Sequence, residues 1–139
     1  MLKGIPEIIS PELLKTLSEM GHGSEIVICD ANCPALELVK TCLRSDVKNA
    51  PELVEAILTL MPLDSYEKPV IMMEKVNGDD DIPTDNWDEY YAVIAKHTEE
   101  EPVHMERFAF YDRMKKAYAA VITADVRPYG NIILKKGTF

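Results

Sequence analysis

Residues 10–32 read SPELLKTLSEMGHGSEIVICDAN, and the change of pattern inside this stretch decides the fold. Ser10 is placed to cap a helix, Pro11 fits the first helical position, and Glu12 suits the positive end of the helix dipole. Leu13, Leu14, Leu17 and Met20 then recur at helical spacing, and Gly21 is expected to stop the helix. Glu25–Asp30 follows as an apolar run closed by a carboxylate, the pattern of a strand buried on both faces.

The alternation continues down the chain. Leu38–Arg44 reads as a second strand. Asn49 is placed to cap a helix running to about Met61, with Glu52 three residues on and Leu53, Val54, Ile57 and Leu58 on one side. Val70–Glu74 reads as another buried strand, and a helix is expected over Thr84–His97 with Trp87, Tyr91, Ile94 and Ala95 on its apolar stripe. Val103–Met105 is a short strand leading into a helix over Glu106–Tyr118. Ala119–Thr123 and Asn131–Lys135 close the chain as strands separated by a turn at Arg127–Gly130. Strands alternating with helices predict a layered α/β/α fold with a largely parallel sheet. With no repeat and no linker, residues 1–139 are expected to form a single domain.

Composition removes several function classes. Fifteen Lys and Arg stand against 24 Asp and Glu, a formal net charge of −9. That balance is a poor basis for gripping nucleic acid or an anionic membrane. The charge is lopsided, because residues 107–139 carry 7 basic and 2 acidic side chains. No apolar run reaches the length of a membrane span, and the amino-terminal segment lacks the pattern of a secretion signal. Three cysteines (Cys29, Cys33 and Cys42) are best read as reduced thiols in a cytoplasmic protein.

Motifs for nucleotide binding, nucleophile elbows and zinc hydrolysis are missing. Cys29, Cys33 and His22 lack the second half that a closed metal site needs, so no metal is expected.

Four stretches have residue types suited to chemistry. In Met20–Gly23 (MGHG), His22 sits at a helix-to-strand turn and carries the side chain whose proton moves near neutral pH. On spacing alone, a surface turn histidine is the simpler reading. Asp30-Ala31-Asn32 ends the first strand, where open α/β sheets bind ligands, although Asp and Asn also cap turns there. Phe108 and Phe110 cannot share a helix face, so one of them is expected to meet a pocket or a partner chain. Arg107 offers a fork of donors for vicinal hydroxyls or a carboxylate, or else an ion pair with Glu106 or Asp112. Tyr129-Gly130-Asn131 presents a phenol and an amide on either side of a residue that admits close backbone approach.

Taken together, MLKGIPEIISPELLKTLSEMGHGSEIVICDAN (1–32), RFAFYDRMKKAYAAVIT (107–123) and RPYGNIILKKG (127–137) resemble the sugar mutarotase and pyranase family. The middle of the chain joins the resemblance mainly through LDSYEKPVIMM (63–73). The arginine-headed stretch is closer to the L-fucose mutarotase branch than to its sister, the D-ribose pyranases. The resemblance implies an isomerase that interconverts ring forms of a free monosaccharide without a cofactor. It implies that His22 is a proton donor, that Asp30 and Arg107 contact the substrate, and that Tyr129, Gly130 and Asn131 bind the sugar. It also implies ring-shaped homo-oligomers, decamers in the best-known cases. Cys33 departs from the family, which favours a bulkier residue between Asn32 and Pro34.

The chemistry suits these side chains. A pyranose opens when an acid protonates the ring oxygen while a base removes the anomeric proton, and positioned acid–base groups contribute ~10²–10⁴ each. His22 is expected as the principal acid–base group, with Asp30 and Tyr129 handling the other proton and Arg107 and Asn131 orienting the sugar. His22 precedes the first strand and Asp30 ends it, so at ~3.3 Å per residue one chain cannot bring both to one sugar unless the turn folds back. A site shared between subunits is therefore expected. Pyranose–furanose exchange on ribose and a non-catalytic sugar-binding role are the competing readings.

Overall fold

The computed structural model describes residues 1–139. Its elements are α1 (Pro11–Glu19), β1 (Glu25–Cys29), α2 (Ala35–Leu38), β2 (Cys42–Arg44), α3 (Ala50–Leu58), β3 (Val70–Met73), α4 (Asp85–Ala95), β4 (Val103–Met105), α5 (Arg107–Lys115), β5 (Ala119–Ile122) and β6 (Ile132–Lys135). The strands form one sheet in the order β2-β5-β1-β6-β3-β4. Every strand runs parallel to its neighbour except β6, which is antiparallel to both β1 and β3. The largely parallel sheet expected from the sequence is present.

Alternation along each strand divides the core in two. Ile26 and Ile28 of β1 face α1, α3 and α4, with Leu13, Leu17, Leu53, Ile57, Tyr90 and Ile94 packed against them. Val27 and Cys29 face the other way, onto Phe110 and Met114 of α5 and Ala35 of α2. Helices thus cover both faces, and β1 is buried along its whole length. Full burial of one such aliphatic side chain stabilises the fold by roughly 1.5–3 kcal/mol. No helix is long and apolar enough to cross a membrane.

The caps are largely those read from the sequence. Ser10 Oγ accepts from the Leu13 amide at 3.1 Å, and Asn49 Oδ1 accepts from that of Glu52 at 3.2 Å. Three local expectations are corrected. Gly21 does not stop α1 in the left-handed conformation. The helix ends on Met20, which turns extended as its side chain enters the core, and it is Gly23 that has φ of +85°. Leu38–Arg44 is not one strand: Pro34 starts a helical turn through Leu38, and only Cys42–Arg44 pairs with β5. The helix expected over Glu106–Tyr118 is shorter at both ends, because Glu106 is its cap, accepting from the amides of Phe108 and Ala109.

The last connection sets up everything that follows. β5 ends at the carboxyl edge of the sheet, and residues 123–131 hold no helix that could carry the chain back to the opposite edge. The next strand must therefore start at the same edge and run antiparallel. It does not pair with β5. It crosses the end of β1 and pairs on β1's far side, laying the turn at residues 127–130 directly over Asp30.

Candidate active site

Asp30 follows β1 at that carboxyl edge and is 5% exposed. Its Oδ1 accepts from the Asn32 amide at 2.9 Å and its Oδ2 from the Gly130 amide at 3.2 Å. Its own amide donates to Asn131 Oδ1 at 2.9 Å. Burial pushes the Asp30 carboxyl above its ordinary range, and the Asp125 charge adds to this, against the opposing pull of the neighbouring amides. A carboxyl displaced upward in a cleft is a candidate for proton exchange with a ligand.

Above Asp30 is a cavity of about 410 Å³ lined by Asp30, Cys33, Arg107, Tyr111, Tyr129 and Asn131, with Asn32, Met73, Val76, Asp79 and Pro128 completing the wall. Its volume suits a small polar ligand. The Arg107 guanidinium lies over the rings of Phe108 and Tyr111, at 5.1 and 5.7 Å from their centroids. Phe110 is fully buried, whereas Phe108 is 65% exposed, so Phe108 is the one that faces outward.

Tyr129 is the only non-glycine residue with positive φ, at 56°. A bulky side chain there costs of order 1–3 kcal/mol and persists only where its surroundings hold it. The Val76 amide donates to its phenolic oxygen at 3.1 Å, and the phenol donates to the Asp79 carboxylate. Burial and then the Asp79 carboxylate raise the phenol above its usual range, so Tyr129 is a proton donor rather than a phenolate. Gly130 does not line the cavity. It lies behind it, because its amide is committed to Asp30 and its carbonyl to Tyr90. A Cβ at Gly130 would meet the Asn86 side-chain amide at 3.3 Å and Arg127 and Asp30 at 3.4 Å, so little free space remains beside it.

Asp125 ties this loop to the rest of the fold. It accepts from the Ala50 amide at the start of α3 and from the Arg127 amide and guanidinium. Burial alone would raise Asp125, but these hydrogen bonds outweigh it and hold the carboxyl below its ordinary range.

His22 is elsewhere. The five residues of β1 separate the two ends of the strand, roughly 17 Å at about 3.3 Å each. His22 is the exposed turn residue that its spacing suggests, but its ring is held. Its Nε2 lies 3.0 Å from Asp64 Oδ1, and its ring packs at 5.2 Å from that of Tyr66. Burial would raise Asp64, but the His22 hydrogen bond and the amides of Tyr66 and Glu67 together hold it lowered and ionised. An ionised carboxylate only accepts, so His22 donates to it from Nε2, and its Nδ1 has no hydrogen-bond partner within the chain. The His22 side chain is 44% exposed.

The sequence reading missed Asp64, Tyr66, Asp79 and Tyr111. LDSYEKP was legible as a motif, but nothing local marks Asp64 as the partner of a histidine 42 residues away. No three His, Cys, Asp or Glu side chains converge in a way that could hold a metal ion. A larger cavity of about 730 Å³, lined by Tyr91, His104 and the acidic loop at Glu99–Glu101, gathers none of these groups.

A family model described as the RbsD / FucU transport protein family matches residues 3–139. This chain belongs to that family. An L-fucose mutarotase of Glaesserella parasuis serovar 5 (strain SH0165) is 51% identical over 141 residues, covering 99% of this chain and 95% of that protein. Among solved structures, the fucose mutarotase from Streptococcus pneumoniae in complex with L-fucose has a TM-score of 0.93 and 49% identity, covering 99% of each chain. Bacillus subtilis RbsD complexed with D-ribose has a TM-score of 0.77 at 22% identity and covers 100% of this chain and 99% of its own, a likeness of fold alone.

Proposed function

We propose that this protein is an isomerase that interconverts the α and β anomers of free L-fucopyranose by cofactor-free ring opening and closure. The observation that carries the reading is the convergence of Asp30, Arg107, Tyr129 and Asn131 on one small polar cavity. It occurs in a chain about half identical to L-fucose mutarotases along its length.

In this mechanism an acid protonates the ring oxygen as a base takes the proton of the anomeric hydroxyl. The C1–O5 bond breaks, the open aldehyde turns its other face, and the ring closes with the proton movements reversed. Asp30 and Tyr129 serve the hydroxyl side of the sugar. Arg107 and the Asn131 amide hold it in place, and Gly130 supports Asp30 from behind. His22 is the principal acid–base group, with Asp64 fixing its tautomer. Because His22 and Asp30 lie at opposite ends of β1, the His22 of one subunit serves the cavity of another. Head-to-tail contacts of this kind close into rings, and the family resemblance supports a homodecamer or another ring homo-oligomer. The three free thiols support a cytoplasmic setting.

Saturation-transfer NMR on L-fucose, D-ribose and D-galactose tests the activity and the choice of sugar. A wild-type rate of fucose anomer exchange in His22→Ala would overturn the assignment of His22. For the shared site, inactive His22→Ala and Asp30→Asn subunits are unfolded together and refolded as a mixture. Shared sites restore about a quarter of the activity, the share that draws both intact residues from different subunits. An active monomer in sedimentation would refute sharing.

A further inference from the structure

Three consecutive carbonyls in the turn over Asp30 are each held by a side chain of α4. Asn86 Nδ2 donates to the Pro128 carbonyl at 3.3 Å, Trp87 Nε1 to that of Tyr129 at 2.8 Å, and the Tyr90 hydroxyl to that of Gly130 at 2.7 Å. Asn86 and Tyr90 are buried, at 1% and 0% exposure. Residues 86, 87 and 90 occupy one turn of helix, so the donors are spaced by the helix itself.

Trp87 is itself held in place. Its ring lies 4.6 Å from that of His104 on β4, and the His104 Nε2 is 2.7 Å from the Tyr91 hydroxyl. The donors therefore stand on a helix and are braced by a strand, the arrangement that places a group most accurately. The residue in the middle of the held turn is Tyr129, whose backbone occupies a conformation that bulky side chains rarely adopt. Unheld, the turn would relax toward negative φ, and the phenol would swing away from Val76 and Asp79.

We propose that Trp87, flanked by Asn86 and Tyr90, is a positioning residue that holds the Tyr129 backbone so that its phenol points into the sugar cavity. This rests on the mutarotase reading for its kinetic consequence, but not for its structural one. Trp87 touches no substrate and acts only through Tyr129.

The test uses Trp87→Phe, which keeps a ring against His104 but lacks the donor, and Tyr90→Phe, which removes one oxygen. If either variant fails to fold, the other decides. Each is also combined with Tyr129→Phe. Fucose exchange at saturating sugar is expected to fall about tenfold in each single variant, as a buried carbonyl loses its partner. Sugar affinity is expected to move less than exchange, by about twofold, because Asp30, Arg107 and Asn131 stay in place while the Tyr129 phenol moves. On the Tyr129→Phe background neither substitution should slow exchange further. Wild-type exchange in the single variants, or an equal further loss on that background, would overturn the proposal.

Tyrosine carbon-13 NMR provides a readout that does not depend on activity. In both variants the Tyr129 phenol is expected to titrate closer to the ordinary tyrosine range as it leaves Asp79 and becomes solvated. If the wild-type protein shows no anomer exchange, the mutarotase reading fails and this titration alone decides the proposal. An unchanged Tyr129 titration in both variants would overturn it.

Discussion

Gly137→Ala should disable the site without replacing any of its side chains. A methyl group at Gly137 would lie 2.4 Å from the Leu63 carbonyl oxygen, 2.7 Å from its carbon and 2.9 Å from the Asp64 nitrogen. Since non-bonded atoms settle near 3.5–4.0 Å, the two backbones must part by about 1 Å. They are tied together where they touch: the Gly137 amide donates to the Pro62 carbonyl at 2.8 Å, and the Asp64 amide to the Lys135 carbonyl at 3.0 Å. The displacement therefore strains or breaks at least one of these bonds. Overpacking of this kind costs about 1–3 kcal/mol, which lowers the melting temperature by roughly 3–10 °C at this chain length. The same displacement moves the carboxylate that orients His22, and a misplacement of about 1 Å costs on the order of 10²-fold in rate. Circular dichroism melting and NMR anomer exchange measure the two effects on one sample. Gly21→Ala, where the added methyl meets nothing, is the stability control. A Gly137→Ala protein that melts earlier yet exchanges fucose at the wild-type rate would refute the dependence of His22 on this strap. One that is unchanged in both would refute the steric argument itself.

Other outcomes follow from the same geometry. Asp64→Asn should slow exchange by about tenfold or more, because the amide can donate to Nε2 and select the wrong histidine tautomer; exchange kinetics and the His22 ring nitrogen shifts check this together. Arg107→Lys loses the planar stack on Phe108 and Tyr111 and should weaken sugar binding by about tenfold, measured by titration calorimetry, with a smaller effect on exchange of the bound sugar. Asp125→Ala should cost about 2–3 kcal/mol by urea unfolding. It leaves Arg127 paired only with Glu89, and solvent around that partly exposed guanidinium limits the loss. Asp64 and Asp125 are both lowered in the folded protein. Their stabilisation is therefore complete above the ordinary carboxylate range, near pH 4, and is lost as pH falls through their folded values. Asp125→Asn should flatten that acid limb, and an unchanged pH profile of urea midpoints would contradict the assignment.

Much of the fold was legible because the signals are local. Ser10 and Asn49 cap where a short polar side chain precedes a helical period, and β1 is buried on both faces as its unbroken apolar run requires. The failures were local signals overridden by distant partners. Gly21 was a reasonable helix stop, but the burial of Met20 ended α1 first. The pattern of 38–44 suggests one strand, yet only Cys42, Leu43 and Arg44 pair with β5.

The site divides in the same way. From the sequence come the candidates His22, Asp30, Arg107, Tyr129 and Asn131, by residue type and by resemblance to the family, and the spacing along β1 that keeps His22 from Asp30. Those are properties of residue type, motif and strand rise. Only the tertiary structure placed β6 across the end of β1, so that the 127–130 turn falls on Asp30 and α4 can hold it. Only the tertiary structure, likewise, brought Asp64 to His22 and Asp79 to Tyr129. Strand order and register arise from packing between segments more than a hundred residues apart, and no short stretch of sequence encodes them.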